Sequence, residues 1–157
     1  MCIRDRVKPK ILIQKQGSCF AQSKRIIREE AWRCVSEGET YDPCFVKPGG
    51  NQQEALCLKS PWLEEAVLIK TKDSLDASTL LRLDISSAYP WAVLLSSGEQ
   101  CLSTDKEKTL EGSVIHYQCS DRTLLFGYLQ RCREEWSMLH QKQTEEISTA
   151  VIKKAWF

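Results

Sequence analysis

QCLSTDKEKTLEGSVIHYQC, residues 100–119, carries a cysteine near one end, a cysteine at the other, and a charged middle that contains Gly112. Its second half alternates. Ile115, Tyr117 and Cys119 fall on one side of an extended chain, and Val114, His116 and Gln118 on the other. That is the period of a strand with one buried face. A hairpin folded about residue 110 sets Cys101 opposite Cys119, with β-carbons within the roughly 3.5–4.5 Å that a disulfide spans. Closing such a loop is worth about 3 kcal/mol in the chain-entropy model. The run Thr104-Asp105-Lys106-Glu107-Lys108 is mixed in sign and reads as a solvated tip.

Outward from this hairpin the same grammar repeats. Strands are expected at 66–71, 79–85, 91–95, 100–103, 113–119, 123–128 and 134–140, and the chain closes on the period-two stretch Ile147, Thr149, Val151 before an aromatic end. In 79–85, Leu81, Leu83 and Ile85 oppose Arg82 and Asp84. Tyr41-Asp42-Pro43 is a turn or an extended step, because proline restricts its predecessor, and Lys47–Asn51 is a loop. One or two helical turns fit 22–34, where Ile27, Ala31 and Cys34 are helically spaced, although Trp32 suits an extended segment equally. The expected fold is mainly β, with α+β as the variant. It is a small disulfide-stapled antiparallel sandwich or barrel-like sheet with at most one or two short helices. Residues 7–16 read as a linker and 17–157 as a single disulfide-bonded domain.

The chain has eight cysteines in 157 residues, at 2, 19, 34, 44, 57, 101, 119 and 132. Zinc knuckles need closely spaced pairs, and neither CxxC nor HxxxH occurs. Disulfides in an oxidising compartment are therefore the expectation. Cys44 and Cys57 bracket the Pro-Gly-Gly loop as a second staple, and Cys19 joins Cys34 by elimination. Six cysteines still leave 15 connectivities open. Cys132 remains as a free thiol, expected to be buried or half-buried.

Charge and motifs exclude more than they assign. The net charge of +1 supplies no general attraction for nucleic acid or an anionic surface. No GxSxG, GxxxxGK[ST] or GxGxxG motif occurs. No catalytic, cofactor-binding or metal-ligating residue is assigned, and no cofactor is expected. His116 and His140 are the histidines that a Cys132 nucleophile would need as base; each reads as an ordinary surface or half-buried residue. Trp32, Trp62, Trp91, Trp136 and Trp156 read as core anchors rather than an exposed binding row. Asp42 reads as a turn-capping carboxylate that Arg33 could pair with.

The ordered series Ser18-Cys19, Trp32-Arg33-Cys34, Asp42-Pro43-Cys44-Phe45, Leu56-Cys57, Pro61-Trp62, Pro90-Trp91, Gln100-Cys101, Tyr117-Gln118-Cys119 and Ala155-Trp156-Phe157 resembles a family of uncharacterised exported bacterial proteins, secreted or membrane-anchored. The resemblance covers 17–157 and implies export and a shared framework of six cysteines, with no activity to carry over. The chain departs at Cys132 and at Gln100, where that family usually has a small polar residue and arginine. The opening Met1-Cys2-Ile3-Arg4-Asp5-Arg6 resembles a translated sequencing-adaptor remnant. On that reading residues 1–6 are foreign, and a signal or membrane anchor belonged upstream. A non-enzymatic extracytoplasmic binding or structural domain, with a cell-wall or protein partner, is the expected role. The alternatives are an extracytoplasmic hydrolase with an unidentified acid–base pair and a cytosolic protein whose cysteines bind a metal.

Overall fold

The structure, a computed structural model, describes residues 9–157 except 83, 85, 86, 133 and 144. Its strands are β1 (Lys10–Gln22), β2 (Ala31–Ser36), β3 (Glu39–Phe45), β4 (Glu54–Leu58), β5 (Glu65–Thr71), β6 (Ala92–Leu95), β7 (Gln100–Ser103), β8 (Thr109–Leu110), β9 (Ser113–Cys119), β10 (Thr123–Arg131), β11 (Trp136–Lys142) and β12 (Ser148–Trp156). One 3-10 turn, Ala77–Thr79, is the helical element among the described residues. The fold is therefore mainly β and disulfide-stapled, with closed sheets of the barrel type. It divides into two compact units, one ending at Ala88 and the other starting at Tyr89.

In the first unit β1 to β5 form a closed barrel in chain order. Each strand runs antiparallel to the next. In such a meander the fifth strand points the same way as the first, so the seam has to be parallel. Lys10 to Gly17 of β1 indeed pair parallel with Glu65 to Thr71 of β5. A parallel pair needs a long crossover, and the intervening three strands supply it. β1 is 13 residues long because it serves two partners. Its first half lies against β5, and Ser18 to Gln22 lie against β2. The core gathers Trp32, Cys34, Val46, Cys57, Ile69 and Leu75.

In the second unit β6, β7, β9, β10, β11 and β12 form an antiparallel ring, with β8 added to β9 as a small flap. An even meander closes antiparallel, and β12 pairs with β6 in that sense through Ile152↔Leu95 and Trp156↔Ala92. Its core is built on Val93, Tyr117, Leu125, Met138 and Ile152, alternating members of strands β6, β9, β10, β11 and β12. Two hairpins use the same two-residue turn. Glu37-Gly38 joins Ser36 to Glu39, and Glu111-Gly112 joins Leu110 to Ser113. All four central residues have positive φ, which matches the right-handed twist of paired strands.

Several expectations need correction. Residues 10–16, read as linker, form the first half of β1; three aliphatic residues there, Ile11, Leu12 and Ile13, are exposed, so no buried face announces the strand. One domain was expected over 17–157, whereas two units with separate cores are found. No helix forms over 22–34. Ser23 behaves like a helix cap, its Oγ accepting from the Arg25 and Ile26 amides, but the chain turns and enters β2, where Trp32, Cys34 and Ser36 are buried at period two. The expected strand 79–85 is not seen among its described residues; Leu83 and Ile85, two of the five residues of its pattern, lie outside them, as do Cys2 and the rest of 1–6. There the Gln22 carboxamide accepts from the Leu81 amide and donates to the Leu81 carbonyl, replacing a ladder rung.

Candidate functional site

Gly127 sits in the middle of β10 with φ 75°. A glycine inside a strand often marks a bulge, and here pairing with β11 jumps from Phe126↔Leu139 to Gln130↔Ser137. Gly127, Tyr128 and Leu129 thus stand opposite Met138 alone. Tyr128 at the crest is 80% exposed, the most exposed large hydrophobic residue described. Bulges re-aim side chains in this way.

The bulge takes the Leu129 amide out of the ladder. The Tyr89 hydroxyl accepts from it at 3.3 Å. Tyr89 in turn lies flat on His116 of β9, with centroids 4.1 Å apart and planes 2° apart. His116 Nδ1 is buried and has no hydrogen-bond partner among the described residues. Burial, with Lys106 adding repulsion, holds the imidazole down to about 4, so the ring is neutral at pH 7. The next residue, Tyr117, is fully buried and donates to the Pro90 carbonyl at 2.7 Å. Burial pushes its phenol well above the ordinary tyrosine range. At the far end of β10 the Arg131 guanidinium lies 5.2 Å above the Trp136 ring, which meets Phe157 edge-on. One stretch of sheet therefore holds an exposed tyrosine, a stacked Tyr–His pair and a cation–aromatic group. Exposed aromatic faces and a guanidinium of this kind can stack on or pack against a ligand.

The cysteines fall as follows. Cys19–Cys34, Cys44–Cys57 and Cys101–Cys119 are disulfides. Each joins directly opposed residues of neighbouring antiparallel strands, β1 with β2, β3 with β4, and β7 with β9. Cys132 is free but exposed, not buried, because it follows the last residue of β10 and belongs to the connection toward β11. His140 is level with Leu125, and four residues of β11 beyond Trp136 place it about 13 Å along the strand from the end where Cys132 lies. Its ring is engaged with Ser148. His116 lies beside Tyr117, whose partner on β10 is also Leu125. The structure therefore gathers neither histidine at Cys132.

Trp32, Trp91 and Trp156 are buried, whereas Trp62 and Trp136 are only half-buried. The Asp42 carboxylate accepts from Ser23 Oγ and the Lys24 amide, which takes the place of the expected Arg33 partner. Among the described residues no group of three or more His, Cys, Asp or Glu side chains could hold a metal ion. No helix there is long and apolar enough to cross a membrane. The bulge was missed in the sequence, although Gly127 within the apolar run Leu124–Leu129 was its signal. No family model, curated protein or solved structure matches this chain.

Proposed function

We propose that this chain is an exported, extracytoplasmic domain, secreted or membrane-anchored, with a non-catalytic binding or structural role. The observation that carries the reading is the placement of the disulfides. Six cysteines are spent as directly opposed cross-strand pairs, two within the first barrel and one within the second. Such bonds persist in oxidising compartments and are rare in a reducing cytosol. With those six oxidised, no thiolate among them is available to a metal. The contact residue assigned to the binding role is Tyr128, an amphipathic ring held in solvent by a bulge, and cell-wall material is the partner class it is assigned to.

The test is to make the chain in a bacterial cytosol and, behind a signal peptide, in the periplasm. Alkylation without reductant then reports each cysteine by mass. The periplasmic protein is expected to be modified at Cys132 but not at Cys19, Cys34, Cys44, Cys57, Cys101 or Cys119, and the cytosolic protein to be poorly folded. It is also expected to sediment with isolated cell walls, more than Tyr128→Ser does. A cytosolic product that is stably folded with all of those thiols free would overturn the extracytoplasmic reading. Equal sedimentation of the two proteins would remove Tyr128 as the contact.

A further inference from the structure

The Tyr89–His116 stack joins two segments that no ladder connects directly. Tyr89 precedes β6, and its hydroxyl holds the amide that the β10 bulge leaves without a strand partner. His116 lies on β9, where its carbonyl accepts from the Thr104 amide. We propose that His116 is an acid-sensitive latch: protonation drives its ring out of the stack with Tyr89 and frees the Leu129 amide that Tyr89 holds.

Nδ1 of His116 is buried without a partner among the described residues. In the neutral ring it can be the bare nitrogen, with the proton on Nε2, and a lone pair left unpaired costs less than an unpaired donor on a charged ring. Protonation turns Nδ1 into a cationic N–H donor where the described residues give that nitrogen no hydrogen-bond partner. Burying such a charge without a partner is strongly unfavourable. The charged and titratable groups around it do not relieve this. Lys106, from the connection between β7 and β8, repels an imidazolium. Tyr89 presents a phenol ring whose hydroxyl accepts from the Leu129 amide. Tyr117, the neighbour on β9, points its hydroxyl to Pro90, and Arg131 beyond it is another cation. Attraction of a cation for the Tyr89 face works in the opposite sense, but it supplies no acceptor to Nδ1.

The ring is harder to protonate in place than in a solvated, opened state. Opening is therefore unaffected well above the ordinary histidine value of 6.5 and is favoured progressively as pH falls from there toward about 4. Hydrogen exchange of the Leu129 amide in the full chain, expressed as a protection factor, reads the latch directly. Wild type is expected to lose about tenfold or more of its Leu129 protection between pH 7.5 and 4.5, while His116→Phe keeps the stack and loses little. If the Phe variant fails to fold, His116→Gln is read in the same way. Unchanged Leu129 protection in wild type at pH 4.5, or an equal loss in the folded variant, would overturn the proposal.

Discussion

Gly17 stands where β1 changes partner. Gly17 pairs with Thr71 of β5, and the next residue, Ser18, pairs with Val35 of β2. A Cβ at Gly17 would lie 2.4 Å from the Val35 carbonyl oxygen, which is backbone, and close to Ile69 and Ser36 as well. The glycine is needed for close approach rather than for an unusual φ. Gly17→Ala should lower stability by about 2 kcal/mol or more, measured by denaturant unfolding, whereas Gly38→Ala would strain only an exposed turn. Next to this crossing the Ser36 hydroxyl donates to the Gln16 carbonyl, which fixes the point where the barrel closes. Nothing in the sequence around Gly17 distinguishes it from a glycine in a loop. Gly17 therefore reads as the start of a domain, and residues 7–16 before it as linker.

At the scale of elements, legibility followed burial. β7 and β9 coincide with the sequence reading because both alternate cleanly, with Cys101, Ser103, Ile115, Tyr117 and Cys119 inside. β5 was legible for a similar reason, since Ala66, Leu68 and Ile69 are buried. β1 was not, because a strand whose first half is exposed carries no hydrophobic period. β2 was obscured by coincidence: Ile27, Ala31 and Cys34 are helically spaced, but Ile27 is exposed while the other two are buried. The two Glu-Gly turns lack the Asn-Gly or Asp-Gly signature that usually announces a two-residue hairpin, and so β3 and β8 passed unnoticed. The Cys101–Cys119 staple joins β7 and β9, which precede and follow the β8 flap in the chain, across a separation of 18 residues. Replacing both with alanine should cost about 3 kcal/mol, seen as a lower unfolding midpoint for the second unit, while the Trp32-centred core of the first unit keeps its cooperative transition.

For the whole molecule, two successive meanders close by one rule: an odd number of strands gives a parallel seam and an even number an antiparallel one. Neither seam is written in local sequence, since closure joins residues 10–17 to 65–71 and 92–95 to 152–156. Local patterning could supply the strands and the cysteine pairs of each hairpin, but not the division into two closed units. The bonds Cys19–Cys34 and Cys44–Cys57 fix register in the first barrel, and Cys101–Cys119 does so in the second, because a slip of one residue would carry a cysteine to the opposite face. The register and the compartment assigned to the chain thus depend on the same covalent links. The direct measurement is mass spectrometry of a protease digest of the unreduced, alkylated protein. Linked peptides joining Cys19 to Cys34, Cys44 to Cys57 and Cys101 to Cys119, with Cys132 alkylated, are the expected result; any linked peptide spanning the two units, or six alkylated thiols in a folded chain, would contradict it.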